Sequence, residues 1–239
     1  MIVSDVQSSL AITIGKANPR ACEALVVEGG TPALARELLD GVTPDQLLAA
    51  PAQSPVAAYA MLAGLWLWHD GLRECHEIVQ KSPEDLLGAA LYLHSKASKM
   101  SPNVPSVQFM EPDKVRNTQH LRDMAFTVAY WHAIMHRREG DFSNSKYWLA
   151  RCRSHPSSAA IAQSLPKLIE AHSTDPATAA VAGGGWNPPA FVDLVEQIHN
   201  RPNDPRRETV IAIQRLEWRI LFAHCAAGIA EGLRRTSPA

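Results

Sequence analysis

Net charge is nearly missing from this chain, −1 over 239 residues. Without a basic field to draw in a polyphosphate, nucleic acid is not an expected partner. Cysteine is sparse: Cys22, Cys75, Cys152 and Cys225 stand far apart with no CxxC pair. Each falls in a stretch that reads as helix, which points to reduced thiols rather than a disulfide frame. Long apolar runs are lacking too. The most apolar stretch, Val56 to Trp68, covers about two-thirds of a bilayer span and stops at His69-Asp70. No membrane partner is expected. The opening MIVSDVQSSL has no basic region followed by an apolar core, so the expected location is the cytoplasm. Finally there is no GxGxxG after a strand, no GxxxxGKS/T and no GxSxG elbow. Gly183-Gly184-Gly185 runs into Trp186 and two prolines and reads as loop. A nucleotide cofactor is not expected.

No segment alternates apolar and polar residues over more than a few positions, and the β-branched residues fall inside helical repeats. The fold class read from this is all-α. A hydrophobic share of 46% is ordinary for a globular chain of this length. Thr31-Pro32, Thr43-Pro44 and Ser54-Pro55 read as N-cap and N1 devices opening three helices, the third running through Trp68. Further helices are expected over 72–80, from Ser82-Pro83 onward, over 120–138, 142–153 and 157–171, after Asn187-Pro188-Pro189, and over about 208–233. Pro166 should kink or split its helix. Residues 101–118, with three prolines, and 173–185, low in bulk and glycine-ended, read as long loops. Residues 1–20 read as a loosely attached arm and 234–239 as a frayed tail. The expected architecture is one domain, 1–239, of eight to ten helices in antiparallel hairpins.

Two of those hairpins look alike. WLWHDGLRECHEIVQKSPE and RREGDFSNSKYWLARCRSHPS each give a helix, a turn with Asp as N-cap, a second helix and a proline stop. Aligning Asp70 with Asp141 puts His76 opposite Tyr147. The spacing resembles a tetratricopeptide-type hairpin with its GD(F/Y) turn. More widely, HD…H…Q, YWHAIMHRREGDFSNSKYW, WNPPAFVDL and the terminal IQRLEWRILF resemble an uncharacterised all-helical protein family with no known activity. With the segments between them, these motifs span about half the chain. The resemblance implies one fold over the full length and imports no reaction. This chain carries extra residues around 82–120, between the HD…H…Q and YWH helices.

Chemistry is densest in AYWHAIMHRREGDFSNSKYWLARCRSHP, Ala129 to Pro156. His132, His136 and Glu139 follow i, i+4, i+7 and so share one helix face. Two imidazoles a turn apart can hold a divalent ion (zinc, iron or manganese) if a third ligand such as His76, His69 or Glu139 joins them. The zincin pattern needs Glu directly after the first His, and Ala133 stands there. A second reading uses His76 and His132 as a proton-passing pair, with Asp70 or Glu139 setting the tautomer. A third buries the histidines as satisfied core groups. Arg138 is a candidate carboxylate or phosphate anchor, although dipole compensation and pairing at the helix end are the favoured account of the two arginines there. Neighbouring aromatics on a helix point apart, so one ring of each pair Trp66/Trp68, Tyr130/Trp131 and Tyr147/Trp148 should reach a pocket wall. Trp68, Trp131 and Tyr147, with Asn144, are the residues expected there.

The functional expectation is therefore a small-molecule enzyme with a pocket between hairpins 56–80 and 120–153. His76, His132 and His136 would work there, with Asp70 and Glu139 as orienters or ligands. Isomerase, cyclase, lyase and hydrolase chemistries all remain open. The alternative is a non-catalytic helical adaptor for a peptide or partner helix. In the last helix Gln214, Glu217 and His224 share a face with Leu221, which suggests a buried polar network. A homodimer through that helix is compatible with either function.

Overall fold

A computed structural model describes residues 16–18, 20–47, 55–81, 119–152, 155–172 and 175–234. The architecture is all-helical, with no strand among the described residues. In chain order the elements are α1 (Ala33–Leu39), a 3-10 turn (Pro44–Leu47), α2 (Pro55–Trp68) and α3 (Leu72–Val79). Then follow α4 (Gln119–Glu139), α5 (Phe142–Cys152), α6 (Ser157–His172), α7 (Pro176–Ala182), α8 (Pro188–Ile198) and α9 (Arg207–Arg234). No described helix is long and apolar enough to cross a membrane. The helix expected from Ser82-Pro83, the loop 101–118, most of the arm 1–20 and nearly all of the tail lie outside the described residues.

Both hairpin turns are built the same way, one residue away from the alignment that matched Asp with Asp. In the α4–α5 turn Gly140 takes φ +89°, the Asp141 N–H donates to the His136 carbonyl (2.9 Å), and the Gly140 N–H to that of Arg137 (3.2 Å). This is a Schellman ending, which satisfies the last carbonyls of the helix. In the α2–α3 turn the same bonds run from Gly71 to Trp66 (2.8 Å) and from Asp70 to Leu67 (3.3 Å). Here Asp70 occupies the left-handed position, φ +65°. Asp70 therefore corresponds to Gly140, and Gly71 to Asp141. A Cβ on Gly71 would meet Trp66 Cε3 at 2.6 Å, which explains why the glycine sits second. The aspartates consequently differ in role. Asp141 caps α5 through the Asn144 N–H (3.1 Å), whereas α3 has Gly71 at its N-cap and no side-chain cap.

Other local expectations are corrected in similar ways. Thr31 does not cap α1; Pro32 holds that position, and the Thr31 hydroxyl donates to Glu74 on α3. Among the described residues after Thr43, Pro44–Leu47 form a short 3-10 turn in place of the first turn of an α-helix. Residues 157–172 are not split at Pro166, which is exposed on α6, where the i−4 carbonyl it leaves free can reach water. The loop expected over 173–185 contains α7, opened by Asp175, whose carboxylate accepts from the Thr178 N–H (3.2 Å).

Helix α2 is apolar on nearly every side and lies at the centre of the first core, between α3, α4 and α9. Each large side chain buried there contributes roughly 1.5–3 kcal/mol. A second core forms between α6, α7, α8 and the first half of α9, with Leu25 from the segment before α1. That segment is held in place: the Val27 N–H donates to the Arg138 carbonyl (2.7 Å), and Ala21, Cys22 and Ala24 offer carbonyls to Arg215, Gln214 and Arg138. All four cysteines are free and buried.

Candidate functional site

Three helices meet at the site. α4 and α5 run antiparallel, as the cross-contacts show: Ser145 Oγ donates to the Ala133 carbonyl (2.8 Å), Asn144 faces His136, and Trp148 stacks on His132 with centroids 4.0 Å apart. α3 packs against α4 and contributes His76, whose ring lies 5.0 Å from that of His132 and 5.4 Å from that of His136. The His132 and His136 rings, one helical turn apart, stack at 4.8 Å. One ligand atom from each histidine falls within 4.8 Å of the other two. His132 and His136 are buried, while His76 is half-buried.

The three imidazoles are held differently. His136 Nδ1 lies 2.9 Å from Glu139 Oε2, and its Nε2 lies 3.0 Å from Asn144 Nδ2. A carboxylate only accepts, so Nδ1 carries the proton and Nε2 presents a lone pair. His132 is the anomaly: neither of its buried ring nitrogens makes a hydrogen bond of ordinary geometry, and the Val79 backbone offers only a weak contact. Burial pushes its pKa down to about 3, with repulsion from His136 and His76 adding to this and the Val79 backbone weakly opposing it. His132 is therefore neutral at pH 7, with a lone pair directed into a group of imidazoles.

Several expected site residues lie elsewhere. Arg138, expected as a substrate anchor, points into the protein interior. It is fully buried, and its donors go to the Leu67 carbonyl, the Ala24 carbonyl (3.1 Å) and Asp70 Oδ1 (2.5 Å). Asp70 is accordingly an ion-pair partner of Arg138 and not an orienter of histidine. Trp131 is fully buried, close to Trp218 and Gly64, and its neighbour Tyr130 is buried as well, accepting from Trp186 Nε1 (2.6 Å). No ring of that pair reaches a wall, because α4 is enclosed on every side there. Trp68 packs against Trp218 with the rings tilted by 40° (centroids 4.4 Å apart). Tyr147 is half exposed beneath the Arg151 guanidinium (3.7 Å), and Trp148 is the ring that reaches the histidines. A cleft of about 170 Å³ does exist, but it lies between Gly29–Thr31, Arg36 and the first turn of α3, lined by Asp70, Leu72 and Arg73. It is not at the histidines.

The polar line of α9 is an internal network. Glu217 pairs with Arg137 (2.5 Å), both fully buried, and Gln214 donates to the Cys22 and Ala24 carbonyls. His224 lies 4.8 Å from His155, which also meets Thr127 Oγ1 (3.0 Å). Burial, then His224, lowers the His155 pKa to about 3.

Three imidazole ligand atoms within 4.8 Å of one another test well against a metal. Bond lengths of 2.0–2.1 Å place tetrahedral nitrogen ligands ~3.4 Å apart, so closure asks each ring to move by about 1 Å or less. The Glu139–His136 contact supplies the carboxylate–histidine support that such ligands commonly have. Comparison with known proteins adds nothing to this geometry: no family model, no curated protein and no solved structure matches the chain.

Proposed function

We propose that His76, His132 and His136 form a divalent-metal site and that the protein is a small-molecule enzyme working through it. One observation carries the reading: His132 is buried, neutral and without a hydrogen bond of ordinary geometry at either nitrogen, beside two further imidazoles. Buried polar atoms are normally satisfied, and a cation between the rings would satisfy them. Zinc and iron suit an all-imidazole set better than manganese, which prefers carboxylate and water oxygens. A bound ion of this kind lowers the pKa of a coordinated water toward about 7 and polarises a substrate oxygen. The chain's own groups position the ligands. Glu139 fixes the His136 tautomer, and the Trp148 face fixes the plane of His132. The half-exposed Glu139 and half-buried His76 mark the side from which a substrate arrives.

Proton passing between His76 and His132 is the weaker reading, since a ring held near pKa 3 is a poor base at neutral pH. For an adaptor, the described residues offer few exposed large hydrophobics, Leu34 and Tyr147, and Tyr147 is covered by Arg151.

Elemental analysis of untagged protein purified without chelator tests the proposal. About one equivalent of zinc or iron is expected, lost in the His132→Ala/His136→Ala double variant. Native protein that holds no metal and takes up neither zinc nor cobalt on titration would overturn it.

A further inference from the structure

We propose that the cleft between the segment before α1 and the first turn of α3 is a binding site for a small organic carboxylate, separate from the histidines. At about 170 Å³ it is larger than a lone ion needs. Two guanidinium groups reach it from different helices, Arg36 from α1 and Arg73 from α3. Both converge on one carboxylate: Glu74 lies 2.9 Å from Arg73 and 3.9 Å from Arg36. Burial raises the Glu74 pKa, but the Thr31 hydroxyl and Arg73 outweigh it, so the net shift is downward and Glu74 is charged at neutral pH. The carboxylate on the cleft wall, Asp70, is already matched by Arg138. The groups that line or touch the cleft therefore set three cations against two anions, and Glu77 and Asp40 act on Arg73 more weakly than Glu74 does. One surplus guanidinium calls for a monoanion, and a planar carboxylate matches the arginine fork. Arg36 stands too far from Glu74 for a hydrogen bond, and its side chain makes none among the described residues. Leu72 adds an apolar wall for a hydrocarbon chain. The glycines supply a second observation. Gly29 needs its missing Cβ for φ +87°, but Gly30 is not left-handed, and a Cβ on it would meet nothing within 4 Å. Neither backbone strain nor packing accounts for glycine at position 30. It lies on the cleft wall, where a bulky side chain would compete with a ligand for space. The Gly29 and Gly30 N–H groups have no partner among the described residues, which leaves two more donors for a carboxylate.

Butyrate is the probe, titrated into the full chain while the ¹H–¹⁵N signals of Gly29, Gly30 and the Arg36 and Arg73 side chains are followed. These signals should move together and saturate. Acetate should bind several-fold more weakly, since each methylene buried against Leu72 adds a factor of about four. Arg36→Met and Arg73→Met should each lower butyrate affinity roughly tenfold or more, and Gly30→Met should abolish binding. Melting temperatures near wild type are expected for all three variants, because both arginines are exposed and a Cβ at position 30 meets no atom. The shift map of the wild type decides even if a variant fails to fold. No saturable shift at these residues overturns the proposal, and so does butyrate binding that survives Gly30→Met and both arginine variants. Inorganic phosphate binding at the same residues where butyrate does not bind overturns it as well, because the cleft would then take a tetrahedral oxyanion and not a carboxylate.

Discussion

Replacing His132 by Met separates a metal site from a satisfied core histidine. A neutral imidazole has one donor and one acceptor, and in His132 both atoms are buried without a hydrogen bond of ordinary geometry. Leaving a buried polar atom unsatisfied costs ~1–3 kcal/mol. Methionine has nearly the same volume and no comparable polar group, and its sulfur packs well against an indole such as Trp148. A volume-conserving swap costs under about 1.5 kcal/mol. The net expectation, after discounting for the Val79 backbone, is that His132→Met stabilises the ion-free protein by about 1–3 kcal/mol. At pH 7.5 the ring is neutral folded and mostly neutral unfolded, so no proton linkage enters. With zinc at about 100 times Kd the wild type should gain ~2.7 kcal/mol, and the variant should gain nothing. Guanidinium unfolding in chelator and again in zinc reads both effects. The variant should lead in chelator and lose that lead in zinc. A variant less stable than wild type in chelator by more than about 1 kcal/mol would mean that His132 makes favourable polar contacts, and the site argument would fail.

Two further outcomes follow from the buried charges. Arg138→Met removes a buried cation together with its bonds to the Leu67 and Ala24 carbonyls and to Asp70. Breaking a buried pair costs ~3–5 kcal/mol, so the melting temperature should fall by several degrees or more while cobalt affinity of the folded protein stays unchanged; unchanged stability with impaired ligand binding would restore Arg138 as an anchor. His155, held near pKa 3 by burial, binds no proton in the folded state at pH 5, whereas the unfolded chain with a pKa near 6.5 does. Stability should therefore fall as pH drops below about 6.5, by ~2 kcal/mol at pH 5 from this residue alone. Urea unfolding at pH 7 and pH 5 checks this. His155→Gln should flatten that part of the profile, and a profile as steep as wild type would refute it.

The helices were legible because they depend on local chemistry: periodicity, proline at helix starts, glycine at helix ends. Even the miss over 173–185 had a readable signal, Asp175-Pro176, the same start device used elsewhere in the chain. The site was half legible. With Gly140 as the centre of an antiparallel turn, positions four residues to either side are His136 and Asn144, and positions eight residues to either side are His132 and Trp148. Both pairs are in contact. Choosing Tyr147 over Trp148 ignored that reflection. Matching Asp70 with Asp141 went wrong for a related reason, because backbone geometry at the helix ends sets the register and the side-chain types follow it. Arg138 was not legible at all. Its partners lie 68 to 114 residues away, and no local pattern records that the segment around Ala24 is threaded beneath α4.

That threading clarifies what α4 is for. From Trp131 to Arg138 every residue is buried, and four of those eight are His132, His136, Arg137 and Arg138. A helix meant only to fill a core would not carry them, since an apolar replacement for a buried ion pair is often neutral or stabilising. Both arginines are anchored by ion pairs, although Arg137 Nε makes no hydrogen bond. Arg137 meets Glu217 from α9, and Arg138 joins the α2 C-terminus, Asp70 and the segment before α1. They fix the end of α4 against three other parts of the chain. The histidine face, between α3 and α5, keeps both ring nitrogens of His132 among the buried atoms without a hydrogen bond of ordinary geometry. Rigid, expensive support on one side and unsatisfied ligand atoms on the other are what a preorganised site requires. The arginines thus hold the helix that carries His132 and His136, a structural role, and a substitution that loosens α4 should weaken metal binding only as far as it unfolds the chain.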